Sequence, residues 1–198
     1  MGNVRPLLVA ALAVGVVAAA LLWLDLRAAS SETRAESQLS RYTAMMADGP
    51  QQTRDLAIYV AGDDEIFATL RRELERNLET SPAFDDVDSL ATMPEKAGRP
   101  ILLVEAGERD VLWTPVYSRA RLVARIAYSS NGDTSWRDRS PVTMSSDDGP
   151  TVKVRGEFQI TDVTKGVTSH RAYQKHLGRY AATQVSEAVA KAVSRPAS

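Results

Sequence analysis

Two histidines, three closely spaced arginines and two acidic clusters are the residues of this chain whose types suit chemistry. His170 and His176 stand six residues apart in a helical stretch. That spacing puts them on nearly opposite sides of a helix, so both cannot reach one metal ion. They read as helix-end or surface histidines. Asp85, Asp86 and Asp88 form one acidic cluster, and Asp63, Asp64 and Glu65 form another. Carboxylate oxygens suit calcium or magnesium. Neither cluster has the spaced acids, central glycine and terminal glutamate of a calcium-binding loop, so both read as solvated acids at helix and strand ends. Arg119, Arg121 and Arg125 carry the best interaction signal. A strand presenting them makes a basic stripe, suited to phospholipid head groups or an acidic partner. The plain alternative is the charged solvent face of a sheet.

Other chemistry leaves no mark. A glycine-rich phosphate loop is absent, and so is the Gly-x-Ser-x-Gly elbow. No serine stands at a strand-to-helix turn with a histidine and an acid to activate it, and nothing singles out a carboxylate pair for acid–base work. With no cysteine in the chain, disulfides, thiol catalysis and cysteine-ligated metals are excluded. The expectation is a chain that is not an enzyme and needs no cofactor. Its 24 Lys and Arg balance 25 Asp and Glu. Nucleic-acid binding needs a clustered positive excess and is not expected. Met45 and Met46 read as packing residues, Trp113 as a core residue and Trp136 as a loop residue.

Such residues need elements to position them, and the chain opens on an apolar run. Leu7 to Leu24 contains no charged residue. At helical rise this run covers roughly 27 Å, close to the thickness of a bilayer core. Leu7, Leu12, Val16, Leu21 and Trp23 mark the expected membrane anchor over 1–29, with Trp23 at the interface. A signal peptide cut near Ala28-Ala29-Ser30 is the alternative. Arginines flank both ends of the run, so positive-inside counting decides nothing; head inside and domain outside is the expected orientation. Residues 30–50 read as a short helical stalk, with Leu39, Tyr42, Met45 and Met46 on one side. Residues 51–198 then form one domain of ordinary size.

Within that domain the periodicities alternate between sheet and helix. DLAIYVAG at 55–62 reads as a strand. Ile66, Leu70, Leu74 and Leu78 recur at steps of four and predict an amphipathic helix that Ser81-Pro82 ends. A strand is expected at 83–90, a buried one at 101–104 and an extended stretch at 111–117. Leu122, Ala124, Ile126 and Tyr128 alternate with Arg121, Val123 and Arg125, the pattern of a half-exposed antiparallel strand. Residues 131–150 read as a long polar loop, with a brief strand at 141–144. VKVRGEFQI at 152–160 alternates cleanly, with Gly156 marking a bulge or a close approach. A second amphipathic helix runs from His170 to Val193. The expected fold is α+β: a mixed, largely antiparallel sheet with two long helices on one face, preceded by the membrane helix.

This layout over residues 54–193, including DDEIFATLRRELERNLETSPAFDDV at 63–87, resembles envelope-anchored α/β domains of the curli-secretion-lipoprotein or Tol-system amino-terminal type. The lipid-attachment cysteine of many such proteins is missing, and the apolar run stands in its place. The resemblance implies an envelope-assembly or protein-interaction role, with an envelope protein as partner, and carries over no active site. The alternative is small-molecule or lipid binding in a pocket between sheet and helices. A hydrolase with an unrecognised carboxylate pair stands third.

Overall fold

In the computed structural model, residues 14–17, 19, 24–43, 54–135, 137 and 151–194 are described. The elements are β1 (Arg27–Thr43), β2 (Asp55–Val60), α1 (Glu65–Glu79), β3 (Asp86–Ser89), β4 (Ile101–Trp113), β5 (Tyr117–Ser129), β6 (Val152–Thr168) and α2 (His170–Ser194). The six strands form one sheet in the order β1-β6-β5-β4-β2-β3. β2 runs parallel to both β3 and β4, and the other pairings are antiparallel. The fold is a mixed α+β one.

Asp64 starts α1: its carboxylate accepts from the backbone N–H groups of Ile66 at 3.0 Å and Phe67 at 3.1 Å, satisfying donors that the first helical turn leaves unpaired. The apolar stripe Ile66, Leu70, Leu74 and Leu78 is buried with Leu56, Ile58, Leu102, Val104, Leu122, Ile126, Phe158 and Ile160 of the sheet. Tyr173, Leu177, Val185 and Val189 of α2 join the same core, so both helices cover one face. A smaller cluster of Ala57, Ala97, Ile101, Leu103 and Ala127 lies on the opposite face, at the β2–β4 end. Residues 94–97 and 132–134 cap it. Thr134 donates to the carbonyls of Pro94 and Glu95, and the Ala97 N–H donates to the Gly132 carbonyl.

Two expectations are corrected here. Among the described residues no helix is long and apolar enough to cross a membrane. The anchor, its contact with the bilayer and the single-pass placement in a cell membrane are therefore withdrawn, together with the membrane helix in the fold class. Leu7, Leu12, Leu21 and Trp23 lie outside the described residues, and Val16 is helical and exposed. The end of the apolar run is tied to the sheet and helix. Leu26 donates its N–H to Ser169 Oγ at 3.2 Å, and its carbonyl accepts from the Ser169 N–H at 2.8 Å.

Secondly, the described part of the helical stalk is β-structure. Arg27–Thr43 pairs with β6 residue for residue, from Arg27 opposite Thr168 to Thr43 opposite Val152. Of the two readings of Gly156, the close approach is the one observed. The pairing with β1 runs through it unbroken, and an added Cβ would strike the Gln38 carbonyl. The brief strand expected at 141–144 and the stalk residues 44–50 lie outside the described residues.

Candidate functional site

β1 buries little beyond Ala35 and Leu39 against the core, and polar side chains hold much of its inward face. Thr33 Oγ1 donates to Asp162 Oδ1 at 2.6 Å, and Thr164 Oγ1 donates to Asp162 Oδ2 at 2.8 Å. Ser31 and Thr164 share a hydrogen bond between hydroxyls. His176 Nε2 of α2 stands 3.3 Å from Asp162 Oδ1. The Tyr180 hydroxyl donates to the Thr33 carbonyl at 3.2 Å. Burial opposes the Asp162 charge, but the bonds from His176, Thr33 and Thr164 outweigh it and hold the carboxyl below its ordinary range. The neighbouring Tyr173 hydroxyl is buried without a hydrogen-bond partner of normal geometry. Burial, then the Asp162 charge, pushes its pKa up.

An aspartate, a histidine and a threonine invite comparison with a catalytic relay. Such a relay needs the imidazole to bridge acid and hydroxyl through its two different nitrogens. Here Thr33 Oγ1 and Asp162 Oδ1 both stand 3.3 Å from the same Nε2. The hydroxyl also donates directly to the carboxylate. The arrangement is a seam joining β1, β6 and α2, and it does not prepare a nucleophile.

On the face away from the helices the sheet carries charge. Arg125 of β5 stands opposite Glu105 of β4 on one side and Glu157 of β6 on the other. These three form a cross-strand ladder of alternating sign. Above it opens a cavity of about 410 Å³, lined by Leu103, Glu105, Arg125, Arg137, Arg155 and Glu157 among others. Arg137 reaches it from the segment after β5: its Nη1 lies 3.7 Å from Glu105 Oε1, and its carbonyl accepts from Arg155 Nη1 at 3.0 Å. Nearby, the nearly buried Lys153 pairs with Asp133 at 3.4 Å. Burial works against the Asp133 charge, yet bonds from Ser135 and Lys153 hold its carboxyl below the ordinary range.

Arg119, Arg121 and Arg125 are all exposed and share this outer face with Val123, at alternate positions of β5. Only Arg125 lines the 410 Å³ cavity. Arg121 lines a neighbouring depression with Glu36, Gln38, Gly107, Glu108 and Gln159, and its guanidinium donates to Gln159 Oε1 at 3.2 Å. Arg119 stands further along, between Leu112 and Val163. The period-two pattern reveals the shared face. Arg155 stands in an equally legible strand, but no local signal brings Arg137 to it.

Most of the other sequence candidates have structural partners. Asp85 pairs with Arg54 at 3.2 Å, and Asp86 with Arg99 at 3.9 Å; Asp88 also pairs with Arg99. Glu65 pairs with Arg171 at 3.4 Å, and Asp64 pairs with Arg109. The His170 ring meets Trp113 edge-on at 5.3 Å, and Trp113 Nε1 donates to the Thr168 carbonyl at 3.2 Å. Trp136 lies outside the described residues. Among the described residues no group of three or more His, Cys, Asp or Glu could hold a metal.

The pocket expected between sheet and helices is also corrected. A cleft of about 440 Å³ lies there, but Ile66, Leu70, Phe158, Ile160 and Val185 along it are buried core residues. At its polar end Asp64 and Arg109 pair with one another. Its wall is part of the packed core, and the binding role assigned to that cleft is withdrawn.

No protein-family model matches the chain, and no curated protein matches it. Among solved structures it is similar to two PelC dodecamers from Paraburkholderia phytofirmans. The first, a point variant, is 10% identical with a TM-score of 0.32, over 77% of this chain and 94% of that one. The second is 9% identical with a TM-score of 0.32, over 73% of this chain and 95% of that one. Likenesses at this level carry no argument about the chain. With no family model and no curated protein matching, nothing supports the resemblance to curli-secretion or Tol-system domains, and it is withdrawn with the envelope-assembly role it implied.

Proposed function

We propose that this chain is a non-catalytic recognition domain that takes an anionic group, a carboxylate or phosphate, on the sheet face opposite the helices. One observation carries the reading: guanidinium groups of Arg125, Arg137 and Arg155, from two strands and a connecting segment, line a single cavity. Guanidinium forks match carboxylate and phosphate oxygens in geometry as well as charge. Glu105 and Glu157 line the same cavity and flank Arg125 in the ladder.

Isothermal titration of the full chain with citrate and with inorganic phosphate at low ionic strength tests the reading. Saturable binding by the wild type is expected. Arg125→Gln should weaken it by roughly tenfold or more, the scale of a lost charge-assisted hydrogen bond. Arg119→Gln, outside the cavity, should leave it within about twofold. Absence of saturable binding, or equal weakening by both substitutions, overturns the proposal.

A further inference from the structure

We infer that the outer edge of β1 pairs antiparallel with β1 of a second copy, joining two six-stranded sheets into one. This goes beyond anion recognition and does not depend on it. β1 ends the sheet, with β6 as its neighbour on one side and no described strand on the other. It is 17 residues long, contains no proline and keeps unbroken register with β6. At the usual rise, this edge extends for about 55 Å. A long, regular edge presents a row of N–H and C=O groups to any strand that fits it, unless a bulge, a proline or repelling charge prevents pairing. Here the first two are absent, and the charges become the deciding observation.

Two copies related by a twofold axis perpendicular to the sheet and passing through Ala35 use the strand at full length. Arg27 of each then lies opposite Thr43 of the other. This register places Arg34 opposite Glu36 of the second copy, twice by symmetry. Glu32 meets Gln38, Ser30 meets Ser40, and no like charges face one another. Sliding the axis to Arg34 is much worse: Arg34 meets Arg34, Glu32 meets Glu36, and Arg27 meets Arg41. With the axis at Glu36, two Glu36 residues collide. An axis at Thr33 avoids like charges but leaves both strand ends unpaired. Registers of the opposite parity set each side chain against one from the other face. The charge order of β1 therefore favours its own full-length antiparallel copy. Glu32, Arg34 and Glu36 are exposed and alternate on the face away from the helices, so their pairing does not disturb the seam beneath. In the product both pairs of helices lie on the same side of the joined sheet.

The mass of the full chain in solution, by sedimentation equilibrium over a range of concentrations and at two salt levels, tests this. The wild type should be dimeric at micromolar concentration. Arg34→Glu and Glu36→Arg should each weaken the dimer on the order of tenfold, because each turns two attractive cross-strand pairs into repulsive ones. The double variant Arg34→Glu with Glu36→Arg restores opposite charges in the same register and should recover dimerisation. Circular dichroism of each variant separates misfolding from dissociation. A monomeric wild type, an oligomer indifferent to the single substitutions, or a folded double variant that stays monomeric overturns the inference.

Discussion

Asp162 owes its charge to neighbours that its sequence context does not announce. It sits on β6 among Thr161, Thr164 and Val163, two positions past an apolar alternation that ends at Ile160. The side chain is fully enclosed and would be neutralised by burial alone. Two threonine hydroxyls and an imidazole nitrogen keep it ionised. The carboxylate therefore stabilises the fold when charged. Its depressed pKa fixes the sign: the contribution is complete above the unfolded value near 3.8 and is lost as pH falls through the folded value. Asp162→Asn keeps the shape and removes the charge. It should cost about 2 kcal/mol at pH 7, the scale of weakened hydrogen bonds to an ionised group. Urea unfolding should show the difference from wild type shrinking as the pH falls through the folded pKa of Asp162. A constant difference across that range would mean that shape, not charge, sets the role of Asp162.

At the scale of elements, the α1–α2 contact rests on the absence of a side chain. An added Cβ at Gly178 would stand 2.5 Å from the Ile66 carbonyl oxygen and 2.9 Å from Thr69 Cβ. Helix propensity alone would favour alanine there by about 1 kcal/mol. The obstacle includes backbone, which cannot swing aside, so overpacking wins. Gly178→Ala should lower stability by about 2 kcal/mol in urea unfolding, and a gain would show that the helices separate freely. From sequence this glycine reads only as a weak point in a helix. The same contrast runs through the molecule. The steps of four from Ile66 to Leu78 and the alternation from Arg121 to Tyr128 reveal α1 and β5, because apolar burial leaves a period. β1 escapes notice because Ser31 and Thr33 turn toward Thr164 and Asp162, so its inward face mixes these hydroxyls with Ala35 and Leu39 and lacks a clear hydrophobic rhythm. The arginine cavity is half legible for a related reason. A strand declares which of its side chains share a face, but not that Arg137 will arrive from the connection after β5.

Across the whole molecule, stability is distributed unevenly. β2, β4 and β5 contribute to apolar clusters on both faces of the sheet. β1 depends on its backbone ladder with β6, on the polar seam, and on the ties that Asp25 and Leu26 make to α2 and its leading residue Ser169. Lys175 donates to Asp25 at 2.6 Å, and this bond, against slight desolvation, holds the Asp25 carboxyl below its ordinary range. Two carboxylates with depressed pKa values thus join the same margin of the fold to α2. Both supply stability above about pH 4 and lose it together as the pH drops through their folded values, whereas apolar burial does not titrate. Acid should therefore loosen the β1 margin before it loosens the centre of the sheet. Hydrogen exchange followed by mass spectrometry at pH 6 and pH 3, corrected for intrinsic rates, reads this directly. Segment 24–43 should lose protection at pH 3 relative to pH 6. Segments 55–60 and 101–104 should keep theirs. Equal loss everywhere would show that the seam and the core open as one unit, with β1 held by the ladder alone.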